Sequence, residues 1–350
     1  MRFKIAVFSI AKYTGMFALA RLVTAKHVRI LCYHGGCLGD EKDYNPKLFS
    51  SKRFFQKRID WLVAQGFHIV SLNQAISENE RCRKKLTTVI TFDDGWYSTG
   101  SELLPILAQH RLPSTLYLCT QHFLEAWPVL NVTVRYLLWK AAANVRLQKF
   151  GEGVDGSYNL ADPATRTLLA QRLVHYISNN AHCRESICRL IENVAREIGV
   201  DPACLQLDSR RFDYMSPEEI KAAAASGCSI ELHGHVHQYP LGQPNVFRAD
   251  LQRCDEVIRS VGLPRPTHYC YPSGQFDNAA STVMIEQNVR SATTCLPGLI
   301  KRAGTPYLYY LPRFLDGESI HDVEFEAELS GFSELLRRIL RRSSLNGYDT

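Results

Sequence analysis

Short apolar strands alternate with amphipathic helices along much of this chain, and this alternation limits the folds open to it. Residues 88–92 form a compact apolar and β-branched run, residues 98–110 have the spacing of a helix, and residues 114–120 return to a strand pattern. The same order recurs in the C-terminal half, around predicted strands at 228–232 and 268–271. Strand–helix–strand units of this kind favour a parallel sheet, open or closed into a barrel. Functional groups of such folds lie at the carboxyl ends of the strands.

A long segment interrupts this alternation. Its pattern predicts helices at 132–145, 164–179 and 184–199. A helical insertion directly after a strand end is either a lid or wall over a site or a passive addition to the fold. The sequence therefore predicts four regions: an apolar and basic N-terminal helix (1–26), a split α/β region (27–121 and 214–316), the insertion (122–213) and a basic helical tail (317–350).

The N-terminal region and the cysteines indicate the cellular compartment in which the protein is expected. Residues 5–23 are mostly apolar and follow basic residues, as in a secretory signal, but Lys12 and Gly15 interrupt the stretch. A lysine inside a bilayer is costly, so the pattern favours a helix that packs on the domain or lies at a membrane surface. Eleven cysteines without a Cys-x-x-Cys pair favour free thiols in a reducing compartment. We expect a cytoplasmic protein with peripheral membrane association, and secretion is the less favoured alternative.

The charge balance argues against a nucleic-acid partner. The chain has 41 lysines and arginines against 35 aspartates and glutamates, which gives a net charge of +6 over 350 residues. A nucleic-acid-binding protein would concentrate its positive charge far more strongly.

Three predicted strand ends carry the side chains most suited to chemistry. Asp93 and Asp94 follow one strand, residues 233–237 with three histidines follow a second, and residues 271–274 follow a third. Adjacent carboxylates at a buried strand end are costly unless a cation or solvent compensates them. Carboxylate and imidazole donors together suit a divalent metal, and a second carboxylate beside it would give metal-assisted hydrolysis of an amide or ester. A solvated turn and an exposed histidine loop would explain each motif alone, but not their joint placement.

These motifs resemble those of the polysaccharide deacetylases of carbohydrate esterase family 4, which share the NodB homology domain. The resemblance rests on Thr91-Phe92-Asp93-Asp94-Gly95 and His233-x-x-x-His237, and extends to about Phe314 without the insertion. It implies an α/β fold, a distorted (β/α) barrel of about seven parallel strands. It also implies that Asp93 is the catalytic base, and that Asp94, His233 and His237 bind the metal.

The histidine motif departs from the family pattern at two positions. Gly234 stands where the family has serine or threonine, and His235 is an additional imidazole. On an extended backbone, residues 233, 235 and 237 share one face, so spacing alone leaves His235 open as a ligand. The family motif favours His237.

The remaining catalytic groups are matched less completely. Residues Tyr271, Pro272, Ser273 and Gly274 resemble the family's third motif, whose backbone helps to bind the oxyanion. The arginine that orients the base in the family is Cys270 here, and Arg313 is the candidate for its role, or else a surface cation. The family's acid histidine has no clear counterpart. His34, at the end of the first strand, is the candidate, although it is equally suited to a packing role.

The resemblance implies a metal-dependent hydrolase that removes N-acetyl or O-acetyl groups from a polysaccharide. The cysteine pattern, the apolar first helix and the basic tail add a lipid-linked saccharide as a candidate substrate. The cofactor of this hydrolase would be zinc, with cobalt or nickel as alternatives, and its partner an acetylated glycan. Two alternatives stay open. A non-catalytic glycan-binding module would account for the replaced arginine and the missing acid histidine, and a metal-dependent hydrolase of a non-sugar amide would use the same ligands.

Overall fold

The computed structural model of the protein describes residues 2–77, 84–121, 123–124, 127–301 and 307–345, with the backbone alone for residues 2 and 341–345. Its strands are β1 (Arg29–Tyr33), β2 (Gly35–Gly36), β3 (Phe49–Ser50), β4 (His68–Ile69), β5 (Thr87–Asp94), β6 (Ser114–Leu118), β7 (Asn144–Leu147), β8 (Gly156–Asn159), β9 (Cys228–Leu232), β10 (His268–Cys270), β11 (Ser291–Thr293) and β12 (Phe314–Leu315). Its α-helices are α1 (Arg2–Tyr13), α2 (Met16–Val23), α3 (Glu41–Tyr44), α4 (Lys52–Ala64), α5 (Leu72–Ser77), α6 (Leu104–Gln109), α7 (Leu130–Lys140), α8 (Pro163–Asn180), α9 (Arg184–Glu197), α10 (Pro217–Ala225), α11 (Pro244–Ser260), α12 (Ala280–Glu286), α13 (Asp322–Ser330) and α14 (Phe332–Leu345).

The main sheet is parallel throughout. Seven of its strands are adjacent in the order β11–β10–β9–β6–β5–β1–β12, and β4 pairs with the start of β5. The sheet curls into a half-barrel with helices around it, which confirms the predicted distorted (β/α) barrel. Because all these strands run the same way, the residues that follow β5, β9 and β10 meet at one edge.

The sheet strands are covered on both faces, as their sequences predict. All eight residues of β5 are buried, which matches its continuous run of apolar and β-branched residues. Phe55 and Ile59 of α4 recur at helical spacing and belong to the same core cluster as Phe92 of β5. The Ser51 hydroxyl caps α4 by accepting a hydrogen bond from the amide of Phe54.

The segment between β6 and β9 has a core of its own. Helices α7, α8 and α9 bury apolar side chains in one cluster. The predicted helix over 132–145 is wrong at its end, because α7 stops at Lys140 and strand β7 follows, paired antiparallel with β8. Val145 and Leu147 are buried while their neighbours are exposed, and this alternation is the period of a strand rather than of a helix.

The sequence pattern also predicts a short strand near residues 307–313, and this prediction is wrong at residues 307–310. Residues Tyr307–Tyr310 form a 3₁₀ turn, and the strand next to β1 is β12 instead. The turn buries the ring of Tyr309, whose hydroxyl donates a hydrogen bond to the carbonyl oxygen of Val289 (3.0 Å). This tertiary contact is not visible in the local sequence.

The N-terminal region contains two helices where the sequence predicts one. Gly15 adopts a left-handed conformation (φ +80°) between α1 and α2, whose axes differ by 77°. In the described part of the chain, no single helix has the length and apolar composition to cross a bilayer. The bent pair of α1 and α2 meets that criterion jointly, by length and composition only.

Buried His268 at the start of β10 makes the stability of the fold depend on pH. Its Nδ1 atom lies 2.9 Å from the Ser291 hydroxyl, and its Nε2 atom has no hydrogen-bond partner among the described residues. Burial, assisted by the charge of Arg290, lowers the pKa of His268 to about 4. An unfolded histidine titrates near 6.5, so the unfolded state takes up a proton first as the pH falls.

We therefore expect the free energy of unfolding to fall by up to ~3 kcal/mol between about pH 6.5 and pH 4 through His268 alone. Above pH 6.5 this contribution is fully present, because the side chain is neutral in both states. Urea unfolding of the wild type and of His268→Gln at pH 7, 6, 5 and 4 measures it. If the free energies of unfolding of the two proteins depended equally on pH, His268 would not be the cause, whatever their difference in stability at pH 7.

Candidate active site

The three residues predicted to bind a metal meet at the carboxyl edge of the sheet. Asp94 ends β5, His233 directly follows β9, and His237 lies further along the same loop. The Nε2 atoms of His233 and His237 are 3.2 Å and 3.1 Å from Asp94 Oδ1. Among the described residues this buried oxygen has no hydrogen-bond partner. Three donor atoms therefore converge as the ligands of one cation do.

Neighbouring groups fix the orientation of these donors. Trp96 Nε1 donates a hydrogen bond to Asp94 Oδ2 (2.9 Å), which leaves Oδ1 for the imidazoles. The Nδ1 atom of His233 lies 2.9 Å from the carbonyl oxygen of Cys270, so a proton on Nδ1 leaves the Nε2 lone pair available. Two imidazoles and one carboxylate fit a divalent ion such as zinc and leave positions for water and substrate.

Two further groups of donor atoms lie close by: Cys32 with His34 and Asp93, and Cys270 with His233 and Asp93. Both include Asp93, whose carboxylate is already paired with the Arg313 guanidinium. Burial also raises the pKa of both thiols well above the usual value, so they stay protonated and are poor metal ligands. The group around Asp94 is therefore the better candidate for the metal site.

Asp93, the predicted base, forms a buried ion pair with Arg313. The Nη1 and Nη2 atoms of Arg313 lie 2.7 Å and 2.8 Å from the two carboxylate oxygens, a bidentate arrangement. Burial by itself would raise the pKa of Asp93, but the charge and hydrogen bonds of Arg313 outweigh it and hold that pKa well below its usual range. Arg313 Nη2 also lies 2.9 Å from Cys270 Sγ, so the guanidinium reaches the position where the family motif has its arginine.

A cavity of about 760 Å³ opens on these groups. His34, Asp93, Asp94, His233 and His237 all contribute to its lining. The Nε2 atom of His34 lies 3.8 Å from Asp93 Oδ2, and burial lowers the pKa of His34 despite the nearby carboxylates. His34 is thus placed to exchange a proton with a molecule in the cavity.

The segment between β6 and β9 forms one wall of this cavity. Its contribution comes from the start of α7 and one face of α8 and is largely aliphatic: Pro128, Val129, Leu130, Asn131, Val132, Val174 and Ser178. Leu48, Val236 and Leu315 add apolar surface from other parts of the fold. The cavity is therefore polar where the carboxylates and imidazoles lie and apolar along one side.

The predicted oxyanion loop follows β10. Tyr271 and Ser273 line the cavity, and residues Pro272–Gly274 form a 3₁₀ turn. Ser273 has φ +55°, and among the site residues Asp94 and His237 also have left-handed φ values. Such conformations cost about 1–2 kcal/mol in residues other than glycine, so the surrounding contacts must hold this backbone in place. Strain of this kind is typical of functional sites.

The histidine loop is held by Asp250 of α11. The Asp250 carboxylate accepts hydrogen bonds from the backbone amides of His235 (2.9 Å) and Val236 (3.1 Å). The imidazole of His235 lies outside the group around Asp94, and its Nδ1 atom is 3.0 Å from the Thr120 hydroxyl. Gly234 has φ +81°, and a Cβ atom there would lie 2.9 Å from Asp250 Oδ2. Gly234 therefore allows the close approach of the carboxylate that orders this loop.

Gly234→Ala is expected to lower metal affinity by about 10–100-fold, because the new methyl group displaces Asp250 or the loop that carries His237. Gly66→Ala is the matched control: Gly66 also has a left-handed φ (+72°), but a Cβ atom there meets nothing within 4 Å. Both variants carry the same backbone strain, and only Gly234→Ala crowds the site. Calorimetric zinc titration of the two variants checks this, and equal affinities would contradict it.

Two residues that hold the site in place were not predicted from the sequence. Trp96 lies two residues after Asp94, and its indole donor next to the carboxylate motif was a usable signal. Asp250 lies in the middle of a surface helix, and nothing in its local sequence distinguishes it from a solvated aspartate. Its role depends entirely on how α11 packs beside the loop.

A protein-family comparison matches this site. The family model described as polysaccharide deacetylase matches residues 80–138 and 178–292, which include β5, β9, β10 and the motifs that follow them. The match leaves out residues 139–177 and ends before Arg313. No curated protein sequence matches the chain significantly.

Solved structures of deacetylases share the fold. The chain is similar to the deacetylase PplD of Streptococcus pyogenes in complex with acetate (14% identity, TM-score 0.56, 87% of this chain and 99% of that one). It is also similar to IcaB from Ammonifex degensii (15% identity, TM-score 0.54, 87% of this chain and 97% of that one). A third similar structure is a de-N-acetylase from Aggregatibacter actinomycetemcomitans (14% identity, TM-score 0.50, 86% of this chain and 99% of that one). The family match, together with the motif residues at the carboxyl edge of the sheet, identifies the chain as a member of the polysaccharide deacetylase family, a hydrolase of carbon–nitrogen bonds other than peptide bonds.

Proposed function

We propose that the protein is a metal-dependent deacetylase that removes N-acetyl groups from an acetylated saccharide. The observation that carries this proposal is the placement of the Asp93–Arg313 pair beside the group of Asp94, His233 and His237 in one cavity. A base and a set of metal ligands that share a cavity are what amide hydrolysis by an activated water requires. The similarity to a de-N-acetylase supports N-acetyl rather than O-acetyl groups as the target.

The residues of the chain divide the chemistry between them. Asp94, His233 and His237 would hold a divalent ion, which supplies Lewis acidity for the acetyl carbonyl and for water. Asp93 accepts the proton of the attacking water, and Arg313 keeps that carboxylate ionised at neutral pH. The backbone at Ser273 lines the cavity where the oxyanion develops. The proton that Asp93 takes from the water is then delivered to the departing nitrogen as the carbon–nitrogen bond breaks. His34, whose Nε2 atom lies 3.8 Å from Asp93 Oδ2, relays this proton, and the products are acetate and an amine.

The side chains that line the cavity also indicate which class of substrate it accepts. Its wall along α7 and α8 is largely aliphatic, and the aromatic side chains of Trp96, Tyr214 and Tyr271 lie elsewhere in the lining. The aliphatic wall supports a second candidate substrate in addition to the end of a polysaccharide. This candidate is a saccharide attached to an apolar carrier, such as a lipid-linked saccharide. A cytoplasmic location stays a prediction from the cysteine pattern.

Acetate release from acetylated chito-oligosaccharides tests the proposal. We expect activity to disappear after dialysis against a chelator and to return with zinc, cobalt or nickel, because neutral imidazoles and a carboxylate bind these ions. Activity that survives complete metal removal would contradict metal dependence. Glycan binding without acetate release in the metal-loaded protein would favour a non-catalytic glycan-binding module. Acetate release from non-sugar acetamides alone would favour a hydrolase of a non-sugar amide.

A further inference from the structure

Helices α1 and α2 expose apolar side chains on the faces that point away from the domain. Phe3, Val7 and Ile10 recur along one face of α1, and Leu19 and Leu22 along one face of α2. Phe3 is 83% exposed, Ile10 64% and Leu22 73%. Tyr13, Met16 and Val23 extend the same surface around the bend. We call this set of residues the N-terminal apolar surface.

The opposite faces of both helices are apolar as well, and they are buried. Phe8 and Ala11 of α1 and Phe17 and Ala20 of α2 form one cluster with Val323, Ala327 and Phe332 of α13 and α14. Because both helices bury one face in the same cluster, their other faces point away from the same body. Surface helices of soluble domains place polar residues on that outer face.

The two lysines of α1 pair with glutamates of α13. Lys4 forms an ion pair with Glu324, and Lys12 with Glu326 (2.7 Å). These pairs hold α1 against the domain in an orientation that leaves Phe3 and Ile10 exposed. The usual arrangement, with charges in water and apolar groups against the protein, is thus partly inverted.

The composition of the segment indicates which partner would cover this surface. Residues 1–26 contain five basic residues (Arg2, Lys4, Lys12, Arg21 and Lys26) and no acidic one; Lys4 and Lys12, although paired with Glu324 and Glu326, keep 50% and 42% of their side-chain surface exposed. Basic residues combined with a continuous apolar face are typical of helices that lie in the interface of an anionic bilayer. The two helices together are long and apolar enough to cross a bilayer by length and composition only, and their 77° bend opposes a straight crossing.

We propose that the N-terminal apolar surface docks the protein on an anionic phospholipid bilayer, with α1 and α2 lying in the plane of the interface. This inference goes beyond the proposed deacetylase function and does not depend on it. A bilayer-bound enzyme would meet a substrate that is itself anchored in the membrane, and this fits the apolar wall of the cavity.

Flotation with vesicles of phosphatidylcholine and phosphatidylglycerol tests the proposal on the full chain. The wild type is expected to float, and Ile10→Glu/Leu22→Glu to lose at least about tenfold in partition coefficient, because charges replace apolar groups at the contact. The matched control is Val246→Glu/Ile285→Glu, which changes two similarly exposed residues of α11 and α12 and should float as the wild type does. Ile10→Ser/Leu22→Ser serves as a second variant if the glutamates impair folding.

The readouts separate this proposal from the deacetylase proposal. Asp93→Asn should float normally, and Ile10→Glu/Leu22→Glu should keep its activity on a water-soluble oligosaccharide, since neither residue lines the cavity. Failure of the wild type to float, or equal flotation of the Ile10→Glu/Leu22→Glu variant, overturns the membrane surface. Sedimentation that shows a lipid-free dimer dissociated by the same variant would assign the surface to a second copy and would also overturn it.

Discussion

Asp93→Asn is expected to lower the rate of acetate release by about 10³-fold while leaving the metal in place. The amide has nearly the shape of the carboxylate but cannot accept the proton of the attacking water. Asp93 is also the partner of Arg313, whereas Asp94, His233 and His237 form the metal group independently of it. Steady-state acetate assays and metal analysis of the purified variant measure the two effects separately.

Asp60→Asn provides the control for this experiment. Asp60 lies on α4, its side chain is 57% exposed, and it does not line the cavity. We expect wild-type rates from it. If Asp93→Asn kept more than about a tenth of the wild-type rate, Asp93 would not be the base, since general-base catalysis contributes at least about 10²-fold.

Arg313→Met is expected to cost about 3–5 kcal/mol of stability at pH 7, because it leaves the buried Asp93 carboxylate without its cation. Both side chains are almost completely buried. Arg313 depresses the pKa of Asp93, so its contribution is present above the unfolded pKa of about 3.9 and is lost only below it. Without Arg313, burial is the dominant effect and raises the pKa of Asp93. The acid limb of the pH–rate profile should therefore move to higher pH.

A second buried arginine separates the catalytic effect of this change from the structural one. Arg58 Nε lies 3.0 Å from Asp316 Oδ2, and both side chains are buried outside the cavity lining. Arg58→Met should lose similar stability in urea unfolding without moving the pH–rate profile. Arg313→Lys should restore part of the activity, since it returns the charge but not the bidentate contact. An unchanged profile in Arg313→Met would show that Arg313 does not position the base.

The sequence predicted the parts of this protein that depend on local pattern. Apolar runs and helical spacing indicated the alternating elements, and the fold and the family are confirmed. The side chains of Asp94, His233 and His237 meet because each lies at or just beyond the carboxyl end of a parallel strand, a rule that needs no knowledge of packing.

The features that the sequence did not predict depend on contacts between distant segments. Asp250 acts on the histidine loop from a helix, and the 3₁₀ turn at Tyr307–Tyr310 is associated with a hydroxyl contact to another element. The hairpin of β7 and β8 follows a helix with no strong break, so the change from helical to strand period was overlooked. His235 and His237 could be distinguished by family motif but not by spacing. The loop bends at residues 235–237, with a left-handed φ at His237, so it lacks the extended backbone that would place both imidazoles on one face.

The location of Arg313 has a consequence for reading related sequences. It lies 220 residues after its partner Asp93, immediately before the strand that ends the sheet, and beyond the matched family segment, which stops at residue 292. A fragment of this chain shortened to that segment would retain residues 91–95, 233–237 and 271–274, yet Asp93 would have no counter-ion, because Cys270 stands where the family has its arginine. Among related sequences that also have cysteine at the position of Cys270, the motifs alone would not distinguish inert chains from competent enzymes, and the first position to inspect is the arginine preceding the final strand.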